Sequence, residues 1–181
     1  MARRGRAVKT LFGLSIAITL SLGQAAFADE FQNLKCGADI AKAMIGKRSA
    51  SAPVVELEKK YRALGLKSLG GDEISENLSS ANLMICGAEY IELVDRKGIV
   101  RDVLAFPPHA KTQPAFSGMC QMKGKDLPDV IVGVLDGSAA NAPLPVKTAW
   151  KIDQKQVKFV AISGEGMLCP KEGIYTVDGG L

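Results

Sequence analysis

Four cysteines constrain most strongly what this chain of 181 residues can fold into. They stand at positions 36, 86, 120 and 169, so the gaps between them are 50, 34 and 49 residues. No C-x-x-C pair occurs and the chain has one histidine, whereas zinc sites need closely spaced cysteine or histidine ligands. We therefore expect no metal site. An even number of cysteines in an oxidising compartment indicates two disulfides, for which three pairings are possible, and a free reactive thiol is the remaining alternative.

We predict sequential pairing, which joins Cys36 to Cys86 and Cys120 to Cys169. Each bond then closes a loop of about 50 residues, and such a closure contributes on the order of 4 kcal/mol in the chain-entropy account of disulfides. The total stability of a domain is roughly 5–15 kcal/mol. The fold is therefore expected to depend on the oxidation of its cysteines.

The first 28 residues have the three parts of a secretory signal peptide. Met1–Lys9 is basic, Leu11–Leu22 is apolar, and Ala26–Ala28 forms an A-x-A cleavage site. The apolar stretch is shorter than the roughly 20 residues that a membrane-spanning helix needs. We therefore expect cleavage after Ala28, a single domain over residues 29–181, no integral membrane segment after cleavage, and a periplasmic or secreted location.

The formal net charge of +4 comes from the leader. Residues 1–28 hold four basic side chains and no acidic one, and the rest of the chain has 19 basic and 19 acidic side chains. Affinity for nucleic acid depends on an excess of positive charge. Because the mature part is formally neutral, we expect no nucleic-acid partner.

Apolar spacing predicts helices first and strands afterwards. Spacings of three and four residues predict helices over Asp39–Ile45, Val54–Leu64 and, after a cap at Asp72, Glu73–Leu78. Apolar and β-branched stretches predict strands over Glu89–Val94, Ile99–Phe106, Val130–Leu135, Ala149–Asp153 and Val157–Ser163. This order favours the α+β class, with two or three N-terminal helices packed on an antiparallel sheet of about five or six strands.

Two pairs of these strands flank short polar turns and are expected to form hairpins. The first turn has Asp at its first and Gly at its fourth position, as a type I turn prefers, and predicts Val94 opposite Ile99. The second turn, closed in the same way, predicts Trp150 opposite Phe159 as an aromatic pair.

His109 is the only histidine and therefore the one catalytic candidate, since general bases are most often histidines. A hydrolase would have to combine it with Ser117 or with a carboxylate that folding brings near. However, no serine stands in a G-x-S-x-G pattern, and Ser117 precedes a glycine as turn residues do. No glycine pattern typical of phosphate binding occurs at a strand-to-helix junction, so we expect no cofactor.

Two loops, Pro107–Gly118 and Gly137–Pro145, lack periodicity and are long enough to carry a binding site. The candidate contact residues lie in and beside the first loop: Phe106, His109, Phe116 and Met119. We therefore favour an exported, disulfide-stabilised domain that acts as a non-catalytic binding or inhibitor-type module. Its partner would be an unknown protein or small ligand. A structural envelope protein and a small secreted hydrolase that uses His109 are the alternatives.

Overall fold

The computed structural model describes residues 29–139 and 142–175, so the predicted signal peptide over residues 1–28 lies outside the described part. The helical elements are α1 (Ile40–Met44), α2 (Val54–Lys60) and single 3-10 turns at Arg62–Leu64 and Lys171–Gly173. The strands are β1 (Lys67–Ser75), β2 (Leu78–Ile85), β3 (Ala88–Asp95), β4 (Val100–Ala105), β5 (Ala115–Met122), β6 (Lys125–Leu135), β7 (Leu144–Asp153), β8 (Lys158–Ile162), β9 (Met167–Cys169) and β10 (Ile174–Tyr175).

Strands β1 to β4 form the first sheet, an antiparallel meander in which each strand pairs with the next. The turn between β2 and β3 consists of Cys86 and Gly87, whose φ angles are 54° and 78°. Two successive residues with positive φ are what a type I′ hairpin turn requires. This tight turn fixes Cys86 at one end of the sheet, where it bonds to Cys36 of the N-terminal segment.

Strands β5 to β10 form the second sheet, and part of it closes into a ring. Strands β5, β6, β7 and β8 pair in order, and the short strand β9 pairs with both β5 and β7. Strands β5, β6, β7 and β9 therefore enclose their own apolar core. Its largest buried side chains are Phe116, Ile131, Leu135, Leu144 and Met167.

Two further apolar layers hold the molecule together. One lies between the sheets and takes residues from both, including Ile91, Leu93, Val132 and Ile152. The other lies on the opposite, outer face of the first sheet. It is covered by residues 29–66, which we call the N-terminal cover. The buried side chains of this outer layer are Phe31, Ile40, Met44, Leu64, Leu66, Leu83, Ile85, Val94, Val100 and Val103.

The predicted α+β class is wrong, because the protein is mostly β. The two α-helices have five and seven residues, and two antiparallel sheets make up most of the fold. The segment Glu73–Leu78, predicted as a helix, is instead the end of β1 and the turn into β2. Ile74 and Leu78 both contact the core between the sheets. A spacing of four residues brings two apolar side chains together in a helix, and a hairpin can do the same.

Both predicted hairpins exist, but their registers differ from the predictions. Val94 pairs with Val100, since the Asp95 amide bonds to the Ile99 carbonyl and a bulge follows in β4. Trp150 pairs with Ala161 instead of Phe159. In that hairpin Val157 has a φ of 50° and belongs to the turn, which lengthens the loop and shifts the register.

The predicted sequential disulfide pairing is confirmed. Cys36 bonds to Cys86 and ties the N-terminal cover to the first sheet. Cys120 bonds to Cys169, which joins β5 to β9 within the buried core of the ring. Each half of the molecule therefore has its own covalent closure, over sequence separations of 50 and 49 residues.

Removing either bond should destabilise the protein strongly. We expect C36A/C86A and C120A/C169A each to lower the free energy of unfolding by about 4 kcal/mol, since the two loops have nearly equal length. The second variant should lose more, because it also removes two fully buried sulfur atoms from a packed core. Urea unfolding at pH 7 measures both losses. A melting temperature that stays unchanged in strong reductant, with four free thiols verified by mass spectrometry, would contradict this prediction.

Candidate ligand-binding site

Two buried glutamates lie between the first sheet and the N-terminal cover. Glu92 is on β3, where alternation places it on the same face as Tyr90 and Val94, which pack into the outer apolar layer. Glu30 belongs to the N-terminal cover, and the two glutamates line one cavity, which is described below. The residues are each only 2% exposed. Two carboxyl groups are thus enclosed in a layer that is otherwise largely apolar.

The start of the N-terminal cover is held by a polar clamp next to Glu30. The Tyr61 hydroxyl donates to both carboxylate oxygens of Asp29, at 2.6 and 2.8 Å, and the Lys60 ammonium donates to one of them at 2.9 Å. Burial acts to raise the pKa of Asp29, but these hydrogen bonds lower it below its ordinary value. Phe31 packs beside Tyr61, with 5.4 Å between the ring centroids. This clamp fixes the backbone on both sides of Glu30.

The two glutamates have raised pKa values for the same reason. Burial, followed by the nearby charge of Glu30, raises the pKa of Glu92 to about 8, and a hydrogen bond with Ser49 opposes the rise. Burial also raises the pKa of Glu30, against hydrogen bonds from the Ala50 amide and the Ser49 hydroxyl. The Ser49 hydroxyl lies 3.5 Å from Oε1 of Glu30. At neutral pH Glu92 is therefore mostly protonated.

One oxygen of each glutamate has no hydrogen-bond partner. These atoms are Oε2 of Glu30 and Oε2 of Glu92, and both are buried. A buried polar atom without a partner costs roughly 1–3 kcal/mol. Two such acceptors in one place form the most unusual polar feature of this layer.

Both glutamates line a cavity of about 150 Å³. Its walls are mainly apolar and include Phe31, Leu57, Leu66, Ala81 and Leu83. Ala52 and Val54 also line it and are exposed, so the cavity opens to solvent at their edge. A cavity of roughly 150 Å³ can hold one benzene molecule. We call it the acid-floored cavity, because its polar groups lie among apolar walls and include the carboxyls of Glu30 and Glu92.

Glu30 and Glu92 are the two buried carboxyl groups that the described residues provide at this cavity. Among the described residues, no group of three or more His, Cys, Asp and Glu side chains could hold a metal ion. The available chemistry is that of carboxyl oxygens facing an apolar space, which accept hydrogen bonds, and of Glu92 in particular, which gains acceptor capacity when it loses its proton. Such a site suits a small ligand that has a donor-rich head and a compact apolar body.

The four predicted contact residues do not form one surface. Phe106 lies in the core between the sheets and Phe116 in the core of the ring, and both rings are buried. Met119 is 48% exposed and lies with Leu168 and Pro143 beside a shallow depression on the second sheet. As contact residues the four remain a prediction, and the acid-floored cavity does not include them.

His109 holds its loop against the first sheet. Its Nε2 atom lies 3.0 Å from Oε1 of Glu89, and its ring meets the edge of Phe106 with 5.6 Å between centroids. Its Nδ1 atom is buried without a partner. Over the described residues, neither ring nitrogen is therefore bonded to a hydroxyl or thiol that could act as a nucleophile.

Sequence reasoning missed both Glu30 and Glu92. A signal was present for Glu92, which stands in the apolar run Tyr90–Val94 between Ile91 and Leu93. An acidic residue inside a strand whose neighbours are all apolar is a candidate for burial on one of the two faces. Glu30 gave no such signal, because only the folded cover brings it to β3.

Comparison with known proteins gives no relative: no family model, no curated protein and no solved structure matches this chain. Over residues 29–139 and 142–175, no helix is long and apolar enough to cross a membrane.

The stability of the protein should fall as pH rises towards 9. The folded state raises the pKa of Glu92 from 4.5 to about 8, so its contribution is complete below pH 4.5 and is lost as pH increases through 8. The full change corresponds to roughly 5 kcal/mol. Glu92→Gln keeps the shape without the ionisation, and we expect it to remove most of this slope and to be more stable than the wild type at pH 9.

Urea unfolding at pH 5, 7 and 9 measures the slope. Glu165→Gln, at an exposed position on the second half of the molecule, is the matched control and should follow the wild type. A Glu92→Gln variant that keeps the wild-type slope would show that Glu92 does not retain its proton in the folded state.

Proposed function

We propose that this protein is an exported, non-catalytic binding module whose ligand site is the acid-floored cavity. The observation that carries the proposal is the pair of buried and unpartnered oxygens, Oε2 of Glu30 and Oε2 of Glu92, in a cavity open to solvent. An apolar residue at position 92 would complete the layer at a lower free-energy cost. A ligand that donates to both oxygens explains why an acid is there instead.

A role in binding fits the site better than a role in hydrolysis. All four cysteines are in disulfides, and among the residues that the structure describes His109 bonds to Glu89 and to no hydroxyl. Paired carboxyl groups do hydrolyse glycosides, but a sugar also needs polar partners for its hydroxyls, and the walls of this cavity are mainly apolar. The secreted hydrolase that uses His109 is therefore the weaker alternative.

Export is supported by the signal-peptide pattern over residues 1–28 and by the two disulfides, which persist in oxidising compartments. The periplasm of a bacterium and the external medium both meet this condition. Each closed loop would preserve one half of the molecule against unfolding outside the cell. The alternative of a structural envelope protein has no observation among the described residues that favours it.

Blocking the mouth of the cavity should abolish binding of small ring compounds. Ala52 is exposed at the rim, so Ala52→Trp can fill the opening without disturbing the buried layer. We expect a panel of neutral and cationic six-membered-ring compounds to shift the amide NMR signals of Ser49, Leu83 and Glu92 in the wild type. These shifts should be lost in Ala52→Trp.

Ala161→Trp, at an exposed alanine of β8 on the second sheet, is the matched control and should keep the wild-type response. The dispersion of the NMR spectrum shows whether each variant is folded. If no compound of the panel shifts these signals in the wild type at millimolar concentration, the cavity is not a binding site and the proposed function is wrong.

A further inference from the structure

We propose that the acid-floored cavity takes a primary ammonium group on a compact apolar body, with the ammonium lying between Glu30, Glu92 and Ser49. This inference rests on the proposed function and names its ligand class. It follows from a match between the hydrogen-bond acceptors of the cavity and the donors of the ligand, and from the charges around the opening.

The number of acceptors selects the ammonium. Glu30 and Glu92 each offer one unpartnered oxygen, and the Ser49 hydroxyl, which donates to Glu30, keeps its own lone pairs for a third donor. A primary ammonium has three N–H donors and can satisfy all three. A guanidinium has five donors, so some would remain unpaired against apolar walls, and a neutral hydroxyl has one donor and leaves an acceptor empty.

The charged groups around the opening also favour a cation. From α2, Glu58 lines the cavity and accepts a hydrogen bond from the Ser68 amide.

A second depression adjoins the opening at Ala52, and Glu56 and Lys60 of α2 line it. Lys60 is paired with Asp29 of the cover. Arg48, also of the cover, donates to the Lys97 carbonyl. Strand β2 contributes Ala81 and Leu83, which carry no charge. Among the described residues, the side chains that line the cavity itself include three glutamates and no lysine or arginine.

Binding of an ammonium should release a proton. At neutral pH Glu92 is mostly protonated, and the incoming cation favours its ionised form, so the proton passes to solvent while the ligand keeps its own charge. The ionised fraction of Glu92 rises from about one tenth at pH 7 to about nine tenths at pH 9. Affinity should therefore increase about tenfold between these pH values, below the pKa of an alkylammonium at roughly 10.4.

Cyclohexylamine and cyclohexanol test this directly, since they share a ring and differ in the head group. NMR titration of the full mature chain should show that the amine binds, about tenfold more tightly at pH 9 than at pH 7. Cyclohexanol should bind at least about tenfold more weakly than the amine at pH 9, with no pH dependence, because it makes no charge-assisted hydrogen bond. Glu92→Gln should weaken amine binding and remove its pH dependence, whereas Glu165→Gln should retain both.

The source of the ammonium is tested with Nα-acetyl-lysine N-methylamide, which presents the side chain of a protein lysine. Binding of this compound with the same pH dependence would assign the site to a lysine of a partner protein. Binding of cyclohexylamine alone would assign it to a free amine. Either result supports the inference.

Other outcomes overturn it and remain distinguishable from failure of the proposed function. If cyclohexanol binds as tightly as the amine, the cavity is a binding site but not for an ammonium. If the amine binds Glu92→Gln with the wild-type affinity and pH dependence, the group does not contact Glu92. If neither compound binds, both the inference and the proposed function are wrong.

Discussion

The rest of this structure depends on how the outer face of the first sheet is kept from water. Ile85 and Val100 are fully buried there, although helices of only five and seven residues lie above them. Each such side chain contributes roughly 1.5–3 kcal/mol when it leaves water. Short helices are marginal alone, so the N-terminal cover needs other attachments. It has the Cys36–Cys86 bond and backbone hydrogen bonds to the sheet, such as that from the Cys86 amide to the Leu64 carbonyl at 2.7 Å. The cover is thus fixed mainly by bonds to the sheet and less by its own helicity.

This arrangement explains how an ionisable group can persist in an apolar layer. A cover that was free to move would admit water and let Glu92 ionise in its usual range. A cover with a perfectly complementary apolar underside would leave no cavity. The observed cover does neither: its clamp at Asp29 holds the chain close, while the small side chains of Ala50 and Ala52 leave space above the carboxyl groups. Burying two carboxyl groups without full hydrogen bonding lowers the stability of this layer, although the layer is fixed covalently. A loss of stability at one place is expected where residues are selected for contact with a ligand.

Local patterns predicted several elements, and failed where a turn has an unusual backbone or where a distant part of the chain decides. The helix predicted over Val54–Leu64 begins as expected after Pro53, although the α-helix ends at Lys60 and a 3-10 turn follows. The cysteine spacing was sufficient to favour the observed disulfides. Strand β5 was missed because Ser117 and Gly118 read as turn residues, and only pairing with β6 makes them a strand. The register errors arose at the hairpin turns, from a bulge in β4 in one case and from the positive φ of Val157 in the other. Predicting the acid-floored cavity requires both the local strand pattern and the long-range contact, since one of its acids is in a strand and the other is in the cover.

The two halves of the molecule differ in how completely their buried polar side chains are hydrogen-bonded, and this difference favours a ligand site in the first half. Within residues 29–139 and 142–175, the buried side-chain atoms without a hydrogen-bond partner all belong to Glu30, Ser80, Asn82, Glu92 and His109. Every one of them precedes β5, and none belongs to the described part of the second sheet. The second sheet closes on itself through β9 and the buried Cys120–Cys169 bond, and its described residues have no buried side-chain nitrogen or oxygen without a hydrogen-bond partner. We therefore infer that the second sheet mainly provides structural support for the first. The first sheet and its cover retain unsatisfied polar atoms at a free-energy cost. Of these residues only Glu30 and Glu92 line the acid-floored cavity, and since the second sheet shows that this chain can form a layer without such atoms, contact with a ligand explains the two glutamates better than the demands of folding do.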